Sequence, residues 1–296
     1  MGQDDPVMVD RVWCNYGDFT AVRNVSFRVG EGEVYALLGS NGAGKTTLLE
    51  TIQGFRRPSS GRTAIFAGGA GGSWRTRVGF MLQESALVGD LTAGETVRYF
   101  GSISGRVDDE ARILSTVGML AKRNVKVSQL SGGEKRRLDF GTALYGKPDL
   151  IFLDEPTTGM DPDARSELWA TVAELKAGGA SILVTTHYLE EAEEYADRIG
   201  LIHRGEMRLE GTLSEVSSGL PSVISFRMSG GPEAALSLPL KESRWVGERA
   251  ELRSYDLQAD MWSLLRWAES EGRTLNELAA APSGLRHIFE SLKEDD

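Results

Sequence analysis

Short apolar runs separated by turn residues recur through the first two thirds of the chain. They lie at Val7–Trp13, Val25–Val29, Val34–Leu38, Thr63–Phe66, Val78–Leu82, Leu150–Leu153, Ile182–Thr185 and Ile199–His203, and their length predicts strands. The runs at Val34, Leu150 and Ile182 are apolar throughout, as strands covered on both faces of a parallel sheet are. The early runs alternate more and predict an antiparallel edge. Between Leu91 and Tyr145 the texture turns helical. Thr92 and Glu95 match a capping box ahead of Val97 and Phe100, and Asp108 is the expected cap of a helix carrying Ile113, Leu114, Val117 and Leu120 on one face. After Gly211 the pattern changes again. Strands at Val223–Met228 and Trp245–Leu252, a stripe of Leu257, Met261, Leu264, Leu265 and Ala268, and a last helix from Pro282 to Leu292 predict a small α+β appendage. Its Trp and Met residues fall within ordinary helical periodicity and are read as core. The expected organisation is an α/β unit over residues 1–211, with a helical insertion over about 91–145, followed by an accessory unit over 212–296.

Composition narrows the class. The 296 residues contain 33 Lys and Arg against 43 Asp and Glu, a formal charge of −10, which disfavours electrostatic binding of nucleic acid or anionic lipid. Cys14 is the only cysteine; an internal disulfide is impossible, and a buried small apolar residue in a reducing compartment is the simplest reading. No apolar stretch approaches the roughly 20 residues of a membrane-spanning helix, and the N-terminal stretch MGQDDPVMVD is acidic where a secretory signal is basic. A cytosolic chain is expected, with any membrane spans supplied by another polypeptide. Gly68–Ser73, GGAGGS, reads as a mobile loop tip.

The chemistry begins directly after the apolar run Val34–Leu38. Gly39-Ser40-Asn41-Gly42-Ala43-Gly44-Lys45-Thr46-Thr47 fits a phosphate-binding loop, in which backbone N–H groups curl around phosphate oxygens and the following helix presents its positive end. Lys45 then reaches the outer phosphates and Thr46 holds magnesium. A second site follows from Leu150-Ile-Phe-Leu-Asp154-Glu155, a buried strand ending in two carboxylates. Asp154 at the strand's carboxyl end suits magnesium or its water shell, and Glu155 suits a general base for the water that attacks the γ-phosphate. A third element, Leu130-Ser131-Gly132-Gly133-Glu134, opens a helix whose free N–H groups receive anionic oxygens. One bound ATP does not need two such surfaces.

Together these stretches resemble the ATP-binding-cassette (ABC) ATPases, whose signature motif is commonly LSGGQ. The likeness runs from about Val7 to Gly211. It implies a P-loop NTPase core of ABC type with an antiparallel β edge and a helical subdomain. It also implies a head-to-tail homodimer in which Ser131, Gly132, Gly133, Glu134 and Asp161 of one copy meet the ATP held by the other. By the same resemblance Tyr16 stacks on adenine, although a tyrosine beside an edge strand also serves packing. Gln83 senses magnesium and the attacking water and links to the transport subunit; Asp161 belongs to the loop connecting the two active sites; His187 touches the γ-phosphate. His203 and His287 have no such context and are read as structural. Glu134 in place of the usual glutamine and Met160 in place of a commoner leucine are departures that remove no group assigned to phosphate. The set is complete for catalysis by this resemblance, which argues against a purely regulatory cassette.

The phrases Met81-Leu-Gln-Glu84, Glu155-Pro-Thr-Thr-Gly-Met-Asp-Pro162 and Thr186-His-Tyr-Leu-Glu-Glu-Ala192 look most like ATP-binding subunits of bacterial drug exporters of the daunorubicin-resistance kind. That resemblance implies Mg-ATP as cofactor, integral-membrane permease subunits as partners, no nucleic acid, and a position at the cytoplasmic face of the cell membrane. Export of a drug-like, antibiotic or lipid-like substrate is the expected function. The alternatives are a soluble ABC ATPase outside transport and an ATP-dependent regulatory switch. The appendage suggests a role in steadying or regulating the dimer.

Overall fold

A computed structural model describes residues 5–66, 73–217, 221–230 and 243–281, together with 284, 285 and 289. The chain divides into two compact units, one through Leu213 and one from Ser214. In the first, strands β1 (Val7–Tyr16), β2 (Phe19–Val29), β3 (Val34–Leu38), β4 (Ser60–Ile65), β5 (Val78–Met81), β6 (Leu150–Asp154), β7 (Ser181–Thr186), β8 (Arg198–His203) and β9 (Glu206–Gly211) alternate with helices α1 (Lys45–Ile52), α2 (Ala93–Ser104), α3 (Glu110–Thr116), α4 (Gly132–Leu144), α5 (Pro162–Ala177) and α6 (Leu189–Tyr195). A short α7 (Leu213–Ser217) follows.

The strands form two sheets. The six-stranded sheet runs β5-β6-β7-β3-β8-β9 and is parallel except for β9, which pairs antiparallel with β8. Every residue of β3, β6 and β7 is buried, the fate of continuous apolar runs covered on both faces. The early alternating strands form an antiparallel sheet of their own, β2-β1-β4. Val7, Val12, Val22 and Cys14 from that sheet join Leu48, Leu49 and Ile52 of α1 and Tyr35, Leu37, Phe152 and Leu183 of the parallel sheet in one buried cluster. Cys14 is buried there, its Sγ 3.2 Å from Thr51 Oγ1.

In the helical segment the capping box at α2 is present, with Thr92 Oγ1 accepting from Glu95 N and Glu95 Oε2 accepting from Thr92 N. The next helix differs from expectation. Its cap is Asp109, whose Oδ1 accepts from Ala111 N at 2.9 Å. Asp108 instead accepts from the Arg112 guanidinium and from Gly146 N, because a second acceptor beside the cap is free to tie the helix to the end of α4. Ile113 and Leu114 are buried, but Leu120 is 47% exposed, since α3 ends at Thr116 and the helical period does not carry that far.

The second unit contains β10 (Ser222–Arg227), β11 (Ser243–Val246), β12 (Arg249–Ser254), helix α8 (Leu257–Ser270) and β13 (Asn276–Ala281), with strand order β11-β12-β10-β13. The single strand expected at Trp245–Leu252 is a hairpin: β11 and β12 pair across a turn at Gly247, whose φ is +61°. On α8 the buried positions are Leu264, Trp267 and Ala268, while Leu265 is exposed. The stripe is thus rotated toward Trp267, whose large apolar surface gains more from the core than Leu265 does. The expected helix from Pro282 and His287 within it lie largely outside the described residues, as does the loop at 68–72.

Candidate nucleotide site

Because β3, β5, β6 and β7 are parallel neighbours in one sheet, their carboxyl ends fall along one edge, where open α/β sheets bind ligands. Each strand delivers at least one predicted group to that edge: Gly39 after β3, Gln83 after β5, Asp154 and Glu155 at the end of β6, and His187 after β7.

The loop Gly39–Thr47 enters α1 through Gly44, which has φ +104° and lacks room for a side chain: a Cβ there lies 2.5 Å from the Ala21 carbonyl oxygen. A Cβ on Gly39 meets the Ile202 carbonyl at the same distance. Both glycines are therefore required by the close approach of neighbouring strands. Asn41 and Gly42 are exposed, Ser40 and Thr47 are half-buried, and Ala43 is buried. Lys45 is buried and donates from Nζ to Gly39 O at 2.8 Å and Ser40 O at 3.2 Å. Its Nζ also lies 3.4 Å from Glu155 Oε1.

Glu155 is the hub of the cluster. Its backbone sits at φ +47°, a conformation that non-glycine residues adopt at a cost and that concentrates at functional positions. The turn is held because Glu155 N donates to both the carbonyl and the hydroxyl of Thr185, at 3.1 and 3.0 Å. The carboxylate is 8% exposed; besides Lys45 it meets His187 Nδ1 at 2.9 Å and accepts from Thr158 Oγ1 at 3.3 Å. The same Thr185 hydroxyl bonds Asp154 Oδ1. Burial pushes the Asp154 carboxyl above its usual range, partly offset by hydrogen bonds from Thr185 and Thr46. Thr46 Oγ1 also donates to Gln83 Oε1 at 3.4 Å. Thr46, Gln83 and Asp154 thus converge as hard oxygen donors of small number, the donor set that suits a Mg²⁺ ion keeping water and phosphate in its remaining positions. Tyr16 lies beside the loop, 42% exposed, with its hydroxyl 3.2 Å from Thr47 Oγ1 and the Arg56 guanidinium 4.1 Å from its ring centre.

The signature residues stand elsewhere. Ser131 caps α4 in a second capping box: its Oγ accepts from Glu134 N at 3.2 Å, and Glu134 Oε2 accepts from Ser131 N at 2.8 Å. Lys122 holds the other Glu134 oxygen at 3.1 Å. The Ser131 N–H and the Lys122 ammonium keep the Glu134 carboxyl below its usual range. Gly132 is exposed and Gly133 half-buried. Among the described residues none of the Ser131 and Glu134 bonds reaches the Lys45 cluster. Asp161 caps α5, accepting from Ala164 N at 2.9 Å.

Sequence reasoning missed the residues that hold this cluster in place. Thr185 lies inside an apolar strand. Glu191 accepts from the hydroxyls of Thr157 and Thr186, both at 3.1 Å, tying the turn after β6 to the end of β7. Arg136, in the charged run Lys135-Arg136-Arg137, is buried and reads in sequence as one more solvated side chain.

Comparison with known proteins agrees with this architecture. The ABC transporter family model matches residues 22–158, and a model for the C-terminal domain of ABC transporter domain-containing-like proteins matches residues 222–283. The linearmycin resistance ATP-binding protein LnrL of Bacillus subtilis is 38% identical over 231 residues, covering 75% of this chain and 74% of that protein. The daunorubicin resistance ATP-binding protein DrrA3 of Streptomyces coeruleorubidus is 33% identical over 99% of this chain and 97% of its own length. Among solved structures, the dimeric ATP-binding cassette MJ0796 in a post-hydrolysis state with ADP and phosphate superposes with a TM-score of 0.63 at 26% identity, over 70% of this chain and 98% of that one. The fold and the nucleotide edge define a P-loop NTPase of the cassette type. The chain belongs to the ABC transporter ATP-binding family and is an ABC ATPase.

Proposed function

We propose that this chain is the ATP-hydrolysing subunit of a two-component exporter: two copies sandwich two Mg-ATP molecules and drive separate integral-membrane permease subunits from the cytoplasmic face of the membrane. In this reading residues 1–211 form the nucleotide-binding domain, about 91–145 its helical subdomain, and 212–296 an accessory domain. The substrate is drug-like, antibiotic or lipid-like, a class supported by the names of relatives that confer resistance to linearmycin and daunorubicin or export Nod factor.

The observation that carries the reading is the convergence of Lys45 and His187 on Glu155 beside the Thr46–Gln83 pair, with a second capped helix N-terminus at Ser131 bonded to none of them among the described residues. Backbone N–H groups of Gly39–Thr47 and the Lys45 ammonium hold the β- and γ-phosphates. Tyr16 stacks on adenine. Glu155 orients and deprotonates the attacking water, whose oxygen bonds to the γ-phosphorus as the bond to the leaving ADP oxygen breaks. His187 fixes the Glu155 carboxylate and reaches the γ-phosphate. Thr46, Gln83 and Asp154 would hold Mg²⁺, which supplies neutralisation of charge on the phosphate oxygens. The N–H groups at Ser131, Gly132 and Gly133 of the partner copy, with Glu134 and Asp161 nearby, receive the same γ-phosphate from the opposite side. Its loss on hydrolysis removes the bridge and reopens the dimer.

Glu155→Gln tests the reading. With Mg-ATP it should sediment as a dimer and turn over very slowly. A monomer under saturating nucleotide, or normal turnover, would defeat the proposal.

A further inference from the structure

We propose that Arg136 is a positioning residue that registers the Gln83 loop against the Glu155 turn and ties both to the helix headed by Ser131; this rests on the reading of Glu155 given above. Arg136 is 8% exposed, and its guanidinium donates to five backbone carbonyl oxygens. The division among the nitrogens is what assigns the role. Nη1 serves the loop after β5, donating to Leu82 O at 2.9 Å and Gln83 O at 3.1 Å. Nη2 and Nε serve the turn after β6, donating to Asp154 O and Glu155 O, both at 2.7 Å, and to Pro156 O at 3.2 Å.

Arginine is suited to this because its five N–H donors are fixed in one plane, so satisfying both sets of carbonyls fixes the distance between the loops. The two loops carry groups that meet the nucleotide edge from different strands: the Gln83 amide touches Thr46, and the Glu155 carboxylate touches Lys45 and His187. The guanidinium also anchors the carbonyl of Glu155, whose backbone lies in the left-handed region and needs surrounding bonds to persist. The nearest carboxylate in an ion pair is Asp139 at 3.6 Å, and Asp139 Oδ2 itself accepts from Ser85 Oγ at 2.7 Å. Ser85 belongs to the chain just after Gln83, so α4 grips that loop twice. Arg136 follows Ser131 by five positions, about 7.5 Å along the helix axis. The helix headed by Ser131 is therefore linked to both loops through one planar guanidinium. The neighbouring Arg137 contrasts with it: it pairs with Glu167 at 3.2 Å.

Steady-state ATP hydrolysis and equilibrium ATP binding by the full chain test this for Arg136→Ala, Arg136→Lys and the control Arg137→Gln. Arg136→Ala and Arg136→Lys should lower kcat by at least about tenfold while the ATP Kd stays within about threefold, because the side chain aligns the reacting groups and does not bind the ligand. Millimolar guanidinium should restore part of the kcat of Arg136→Ala, and equal potassium chloride should not. Arg137→Gln should behave as wild type. If Arg136→Ala fails to fold, Arg136→Lys decides, since it keeps the charge and the stem but not the planar fork. Wild-type kcat in Arg136→Lys, or kcat and affinity falling together, would overturn the proposal. Glu155→Gln measured alongside separates the two readings: normal turnover there sinks the Glu155 assignment, whereas slow turnover there with active Arg136 variants sinks this inference alone.

Discussion

The Lys45 ammonium lies 3.4 Å from Glu155 Oε1, and both side chains are at least nine-tenths buried. Two of the three Lys45 donors are already used on Gly39 and Ser40 carbonyls, and Glu155 takes the third direction. Lys45→Ala removes that donor and leaves Glu155 without its buried cation. ATP hydrolysis should fall at least about a hundredfold, read as phosphate release. Activity within a fewfold of wild type would remove Lys45 from the site.

Thr185 links two adjacent residues of the site, bonding the Asp154 carboxylate and the Glu155 backbone N–H through one hydroxyl. Thr185→Val keeps the shape and deletes those bonds. Stability should drop by about 1–3 kcal/mol because a buried acceptor loses its partner, and kcat should fall more than the folded fraction does. Denaturant titration beside kcat on the same preparation checks both.

Ser131 is both a helix cap and the proposed contact to the partner's nucleotide. Loss of the cap alone, in Ser131→Ala, should cost about 1 kcal/mol. A cap-only role predicts unchanged hydrolysis at temperatures well below melting. The two-site reading predicts loss of turnover and of ATP-dependent dimers there, with ATP binding to the monomer retained.

Glu110 is almost buried between Arg98 and Arg123, and the Arg123 hydrogen bond, ahead of the opposing effect of burial, holds its carboxyl below the usual range. The stabilisation is complete above the unfolded value, about 4.3, and is lost as pH falls through the lower folded value. The two arginines are half-exposed, so Glu110→Gln should cost only about 1 kcal/mol at pH 7. The gap between wild type and variant should close on acidification, which melting curves across pH 3–7 measure. A constant gap would mean the loss is one of packing.

Much of the site is legible in sequence because its ligating groups follow apolar strands directly. Gly39 follows β3, Asp154 closes β6, and His187 follows β7, so a buried run ending in a glycine or a polar residue marks each position. Cap residues are harder. Asp108 and Asp109 are adjacent acceptors ahead of α3, and the choice depends on Gly146, which is near Asp108 only in the folded chain. Arg136 is illegible for the same reason, since its partners come from 82–83 and 154–156, and charge patterning within Lys135-Arg136-Arg137 separates none of the three.

The sequence by itself determined most strands of the first unit, the glycine-rich loop after β3, the acidic strand end and the cap at Ser131, because each depends on residues close together along the chain. The tertiary structure alone decided that Lys45 and His187 meet on Glu155, that the Thr185 hydroxyl bonds both the Asp154 carboxylate and the Glu155 N–H, and that one guanidinium spans two loops. Those are contacts across neighbouring parallel strands, whose order, β5-β6-β7-β3, is not the order of the chain. Local propensity carries no information about which distant carbonyl a buried donor will satisfy; only the assembled sheet and its covering helices fix that.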